Sequence, residues 1–263
     1  MMDTSDVLIE VQDLTMAYGS FVIQRDLNFT VRRGEVFIIM GGSGCGKSTL
    51  LRHLVGLNRP AKGLIKIKGL DLWSDATAAE NRAVLQHVGV LYQSGALWSS
   101  MTLAENIALP LEEYTALPGK RIRELASLKL SLVGLNGFED YYPSEISGGM
   151  RKRAALARAM ALEPEVLFLD EPSAGLDPIS AKNLDELILQ LGKALGTTFV
   201  IVTHDLPSIF KVGTNSIFLD PELKTIRAHG NPRELLASTS DATVRAFLSR
   251  GEEADTHPTE RHA

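Results

Sequence analysis

The stretch Gly41-Gly42-Ser43-Gly44-Cys45-Gly46-Lys47-Ser48-Thr49 constrains this chain more than any other. The apolar run Val36-Phe37-Ile38-Ile39-Met40 precedes it, and Leu50-Leu51-Arg52-His53-Leu54-Val55 follows. Glycines between a buried strand and an amphipathic helix are the context in which G-x-x-x-x-G-K-[ST] denotes a phosphate-binding loop. Glycine reaches backbone angles that let successive N–H groups converge on an anion. The helix that follows turns its positive N-terminus toward the same phosphates. Lys47 is then expected to hold the β- and γ-phosphates, and the Ser48 hydroxyl to ligate Mg²⁺. A glycine-rich turn merely joining strand to helix is the plainer alternative, and the complete motif in this context speaks against it. The loop is read as a nucleoside triphosphate site.

A chain of 263 residues can bury a substantial core, as one large domain or a domain with an inserted lobe. Its formal charge of -5 argues against a nucleic-acid surface, which needs a basic face. No apolar run approaches the roughly 20 residues that span a bilayer. The start, Met1-Met2-Asp3-Thr4-Ser5-Asp6, is polar and acidic, unlike a signal peptide. Cys45 is the only cysteine, so no intrachain disulfide can form. The cytosol is the expected compartment.

The pattern predicts a half-buried strand over Val7 to Leu14, a turn at Tyr18-Gly19-Ser20, then strands at Phe21-Val22-Ile23 and Leu27 to Val31. Another strand is expected over Leu64 to Lys68, a helix over Asp75 to Gln86, and a buried strand at Val88 to Tyr92. From Ser94 to about Leu162 the texture is helical. Thr102 and Glu105 form a capping box, and a helix from near Pro118 is expected to align Ile122, Leu125, Leu128 and Leu132. Arg151 to Leu162 reads as a further helix. Strands return at Val166 to Asp170 and Thr198 to Val202, with a helix over Ile179 to Leu195 between them. That βαβ unit implies a parallel sheet. Ser216 to Asp220 and Thr225 to His229 are read as a hairpin, and Asn231-Pro232-Arg233-Glu234 as a helix start. Val244, Phe247 and Leu248 mark a last amphipathic segment, read first as a cap on the chain's own core and otherwise as a clasp on a neighbouring subunit. A polar, mobile tail is expected from Gly251.

Four further places carry chemistry. Asp170-Glu171 ends an apolar strand, at the edge of a parallel sheet where the phosphate loop should lie. Asp170 is expected to hold Mg²⁺, and Glu171 to polarise an attacking water. His204 leaves the strand ending near Val202 and is read as a hydrogen-bond donor to the γ-phosphate. Gln93 ends the strand before the helical region and is read as a hinge ligand touching Mg²⁺ or water. Ser147 is a natural helix cap, and Gly148 and Gly149 after it leave bare amides at a helix start. A second anion site in a chain that already has a phosphate loop suggests that another copy's nucleotide docks there. Tyr18 is either turn packing or an aromatic that stacks on a nucleotide base.

In this order, the loop at 41–49, Gln93, Ile146-Ser147-Gly148-Gly149-Met150, Asp170-Glu171, Ala174-Gly175-Leu176-Asp177 and His204 resemble the ATP-binding subunit of ABC transporters, from Val7 to about His229. The resemblance implies an α/β fold: a P-loop NTPase (RecA-like) core, an inserted α-helical subdomain at about 94–162 and an N-terminal antiparallel β subdomain. The ATPase domain would span 7–240, with a C-terminal helix and tail over 241–263. It also implies ATP and Mg²⁺ as ligands and a head-to-tail homodimer. Each ATP would sit between one copy's loop and the other's Ser147-Gly148-Gly149, with Tyr18 on the base and Asp177 in the loop that communicates across the dimer. Ile146, Met150 and Cys45 depart from the usual leucine, glutamine and serine. Because Cys45 lies in the loop, thiol alkylation is expected to block hydrolysis and bound ATP to protect.

Within the family, Tyr92-Gln93-Ser94-Gly95-Ala96-Leu97-Trp98-Ser99-Ser100-Met101-Thr102, Glu105 to Leu111 and Ser147 to Ala159 look like the ATPase of MCE-type lipid transporters, closest to the maintenance-of-lipid-asymmetry (Mla) system. That resemblance implies a membrane permease, an MCE-domain protein and a STAS-domain protein as partners, phospholipid as the transported substrate, and a peripheral position on the cytoplasmic face of the inner membrane. The alternatives are an ABC importer or exporter for amino acids, metals or lipoproteins, and a soluble ABC-type ATPase. The single cassette, the lack of a heptad insertion and the acidic balance disfavour the soluble one.

Overall fold

The computed structural model describes residues 6–73, 84 and 86–255, so the helix expected over Asp75 to Gln86 lies largely outside the described residues. Its central feature is the strand β3 (Val36–Gly41), every residue of which is buried. A strand covered on both faces must read as an unbroken apolar run, as this one does. It lies between β8 (Thr198–Val202) and β9 (Asn215–Asp220) and is parallel to both. The six-stranded sheet has the order β10-β9-β3-β8-β7-β6, with β6 (Val88–Leu91) and β7 (Val166–Asp170) parallel to β8 and only the edge strand β10 (Thr225–His229) antiparallel.

Alternate side chains of these strands feed two cores. Phe37, Ile39, Phe168, Val200 and Val202 face α1 (Lys47–Leu54) and the N-terminal strands. Ile38, Met40, Leu167, Leu169, Phe199 and Ile201 face α5 (Pro178–Leu195), α6 (Leu206–Val212) and α8 (Ala242–Asp255). The N-terminal sheet is antiparallel, ordered β2-β1-β4-β5, from β1 (Val7–Tyr18), β2 (Phe21–Arg32), β4 (Lys62–Ile67) and β5 (Leu70–Asp71). A third core belongs to the helical region: α2 (Leu103–Tyr114), α3 (Gly119–Leu132) and α4 (Gly148–Ala159) bury Ile107, Leu111, Ile122, Leu130, Ala154 and Ala157 together. The short α7 (Pro232–Ser238) follows β10, with Asn231 as its cap.

The architecture is the expected α/β one: a RecA-like core, a helical subdomain and an N-terminal β subdomain. Several local expectations are corrected. Phe21 to Arg32 is one strand, not two, because a bulge absorbs the polar residues at 25–26: two steps of β1, from Leu14 to Met16, oppose three of β2, and Asp26 has φ 53°. On α3 the buried residues are Ile122, Ala126, Lys129 and Leu130, whereas Leu128 and Leu132 are exposed. At roughly 100° per residue, those two positions trail Ile122 by about 120° and 80°. The helix expected from Arg151 starts at Gly148, where the Ser147 hydroxyl accepts the Met150 N–H, and ends at Ala159. The last helix runs to Asp255, past the boundary expected at Gly251, and Val244 and Leu248 are fully buried on the chain's own core. The Thr102–Glu105 capping box forms as expected.

Candidate active site

The phosphate loop folds back between β3 and α1, and two of its glycines are obligatory there. A Cβ on Gly41, at φ 149°, would stand 2.5 Å from the Leu219 carbonyl oxygen and 2.8 Å from Cys45 Sγ. A Cβ on Gly46, at φ 98°, would strike Ile23 at 2.7 Å. Beneath the loop, Gln24 is fully buried and donates through Nε2 to the carbonyls of Cys45 (2.8 Å) and Asp220 (2.9 Å). Lys47 lies back across the loop, donating to the carbonyls of Gly41 and Gly42 at 3.0 Å each. Those two carbonyls hold the amine where an incoming phosphate can take it over.

Most of the residues singled out from the sequence meet in one cavity of about 730 Å³. Tyr18, Gly41, Gly42, Ser43, Gly44, Gly46, Lys47, Ser48 and Thr49 line it, opposite Gln93, Glu171 and His204. Asp170 does not face the cavity; it accepts a 3.0 Å hydrogen bond from the Ser48 hydroxyl. Cys45 turns inward, is buried, and its pKa is raised by that burial. A small hydroxyl and one carboxylate side by side, with an amide side chain nearby, form the sparse, hard oxygen set that suits Mg²⁺ when phosphate and water supply the remaining ligands. No larger cluster of His, Cys, Asp and Glu occurs among the described residues. The donor set fits the ion.

Glu171 follows β7 in a left-handed conformation, φ 47°, uncommon for a residue with a side chain and found where a site over-determines the backbone. Its carboxylate Oε1 lies 2.7 Å from His204 Nδ1. Tyr18 is 57% exposed, free to receive a flat ligand. Ser147, Gly148 and Gly149 do not line this cavity. They start α4 elsewhere, where a Cβ on Gly148 would lie 3.8 Å from Leu176 and one on Gly149 3.4 Å from the Ser180 hydroxyl. Asp177 caps α5, its carboxylate accepting the N–H groups of Ile179 and Ser180.

Sequence reasoning missed Lys152. It is buried on α4 and donates to the carbonyls of Gln93 (2.5 Å) and Glu171 (3.4 Å), so one ammonium ties the start of the helical region to the strand end that bears Glu171. Burial lowers its pKa. The available signal was a lone lysine on the alanine-rich helix, one turn beyond Gly148. Phe21, Phe247 and Arg250, which also wall the cavity, carried no local signal. Of the other histidines, His53 is buried against the Thr49 carbonyl at 2.8 Å, His87 lies beside Glu165, and His229 packs edge-on to Phe37.

The ABC transporter family profile matches residues 24–174. The chain is 42% identical over 246 residues to the probable ribonucleotide transport ATP-binding protein mkl of Mycobacterium tuberculosis, covering 92% of this chain and 67% of that protein. It is 40% identical over 241 residues to the intermembrane phospholipid transport system ATP-binding protein MlaF of Escherichia coli, covering 92% and 88%. Among solved structures, cbiO1 of Clostridium perfringens, part of the ABC transporter complex cbiONQ, superimposes with a TM-score of 0.80 at 27% identity, covering 95% of this chain and 97% of that one. The ATP-binding cassette MJ0796, dimeric in a post-hydrolysis state with ADP and Pi, gives 0.76 at 28%, covering 85% and 98%. The chain belongs to the ABC transporter family and is an ATP-hydrolysing subunit of that kind.

Proposed function

We propose that this ATPase powers phospholipid movement between the inner and outer membranes of a Gram-negative envelope, working beneath a permease with an MCE-domain and a STAS-domain partner. The carrying observation is the 40% identity to MlaF across 92% of the chain, together with the Mla-like segments at 92–111 and 147–159. The ATPase domain spans 7–240, with the helical subdomain at about 94–162. It lies peripherally on the cytoplasmic face of the inner membrane; no described helix is long and apolar enough to cross a bilayer.

In this reading the adenine stacks on Tyr18, and the phosphates rest on the amides of Gly42 to Ser48 with Lys47 turned onto them. Ser48, Asp170 and Gln93 would hold Mg²⁺, which offsets phosphate charge when bound. Glu171 orients the attacking water and accepts its proton. A neutral imidazole carries one N–H, so His204 serves either Glu171 or the γ-phosphate; only the protonated ring serves both. Two copies pack head to tail, so that Ser147, Gly148 and Gly149 of one meet the nucleotide of the other; the similar cassette MJ0796 is dimeric. Gln93, held to Glu171 through Lys152, carries nucleotide state to the helical subdomain.

A ribonucleotide transporter is the second reading, favoured by the 42% identity to mkl. Affinity purification from detergent-solubilised membranes, with mass spectrometry of bound proteins and lipids, separates the two. A permease, an MCE protein and a STAS protein with phospholipid support the first. A different permease without lipid overturns it and leaves the ATPase intact.

A further inference from the structure

Arg250 is an unassigned cation at the rim of the candidate active site. It follows Phe247 by three residues on α8, so the two share a helix face. Both line the cavity that contains the phosphate loop. Among the lining residues only Lys47 and Arg250 carry a permanent positive charge. Lys47 is engaged by two loop carbonyls. Among the described residues, the exposed Arg250 side chain has no hydrogen-bond or ion-pair partner.

The helix that presents it is fastened to the phosphate loop. Val244 and Leu248 are fully buried, and Phe247 packs edge-on against Phe218 of β9 at 5.2 Å. At the start of α8, Asp241 accepts the N–H groups of Thr243 and Val244, and its other oxygen receives Arg227 Nε at 2.6 Å. Arg227 also binds the carboxylate of Asp220 at 2.6 Å. The Asp220 carbonyl in turn accepts from Gln24, whose amide also holds the carbonyl of Cys45. A polar relay thus runs from the loop backbone to the helix cap, buried at Gln24 and Asp220 and half-buried at Arg227 and Asp241.

We propose that Arg250 is a phosphate contact of the nucleotide, delivered in cis by the C-terminal helix, which makes α8 part of the ATP site. This rests on the loop being the nucleotide site. A nucleoside triphosphate brings about four negative charges to a cavity whose other permanent cation is one lysine. A free guanidinium at the rim supplies planar, paired donors for that charge.

The test is nucleotide affinity of the full chain by titration calorimetry with a non-hydrolysable ATP analogue, for wild type, Arg250→Lys, Arg250→Ala, Arg250→Glu and Lys47→Ala. The expected order of affinity is wild type, Lys, Ala, Glu. Arg250→Ala should be weaker by about tenfold, the scale of one charge-assisted contact at an open rim, and should bind with a shallower salt dependence. Melting temperatures without nucleotide should stay near the wild-type value, because the exposed side chain has no hydrogen-bond or ion-pair partner among the described residues. If Lys47→Ala loses binding while all three Arg250 variants bind as wild type does, or lose affinity without regard to charge, the Arg250 contact is overturned and the loop site stands. If Lys47→Ala binds normally, the site itself is misplaced.

Discussion

His204 Nδ1 lies 2.7 Å from Glu171 Oε1, each residue leaving one of two neighbouring parallel strands, β8 and β7. The carboxylate is therefore pre-oriented at the strand edge before any nucleotide arrives. Replacing Glu171 with Gln keeps the shape and removes the base. Phosphate release should fall by about 10²–10³-fold while ATP affinity is retained. Wild-type turnover in Glu171→Gln would remove Glu171 from the chemistry.

Lys152 should be worth more than its distance from the phosphate loop implies. Lys152→Met preserves most of the buried stem but leaves the Gln93 and Glu171 carbonyls without their donor. We expect kcat to fall about tenfold with KM nearly unchanged, and folding stability to drop by about 1–3 kcal/mol. Steady-state kinetics beside urea denaturation measures both. A stability loss with unaltered kcat would confine Lys152 to a structural role.

Cys45 is a poorer target for alkylation than its place in the motif implies. The residue is 1% exposed, packs in the core on that side of the loop, and has its thiol pKa raised by burial. Maleimide should label the folded protein at least about tenfold more slowly than the urea-unfolded chain. Bound ATP should slow it further by holding the loop closed over the sulfur. Equal labelling rates for folded and unfolded protein would contradict the buried placement.

Asp185 predicts an acid-side gain in stability. The Ser208 hydroxyl lies 2.9 Å from Asp185 Oδ2 and 2.7 Å from Asp205 Oδ2, and its single proton cannot serve both. A proton on Asp185 completes the pair, in keeping with burial pushing its pKa up to about 6. The folded state then binds a proton that the unfolded chain, titrating near 4, has released. Stability from this group is present below about pH 4 and lost as pH rises through about 6. Asp185→Asn should flatten that slope and add on the order of 1–2 kcal/mol at pH 8. Denaturation from pH 4 to 8 would show it; parallel wild-type and mutant curves would refute it.

The elements with strong periodicity or explicit punctuation were legible in the sequence. The apolar runs of β3, β7 and β8 marked strands, the βαβ unit from β7 to β8 implied a parallel sheet, and Thr102, Ser147 and Asn231 marked helix starts that the structure keeps. Gln93, Glu171 and His204 could be placed because each ends or follows a strand, and strands of one parallel sheet end on one edge. Tertiary choices were not legible. The face α3 buries depends on its neighbours, so the Leu128 stripe was misread. Lys152 and Gln24 reach the site through hydrogen bonds to residues 59 and 21 positions away in sequence, and Arg250 lines the cavity about 200 positions from the phosphate loop; no local pattern encodes such meetings.

Far from the nucleotide edge, Glu165 just before β7 gathers the cations Arg33 and Lys68 and the His87 ring from three separate turns of the chain, and its pKa is held down to about 2, first by its hydrogen bond to Arg33 and then by Lys68. Seen mechanically, the sheet is a beam clamped at one end and loaded at the other. The clamp joins the β subdomain to the core where the strands begin, and the load falls on Gln93, Glu171 and His204 where they end. Contacts made at the free end act directly on Gln93, Glu171 and His204, whereas the N-terminal sheet, held through Lys68 to Glu165, is attached at the far end.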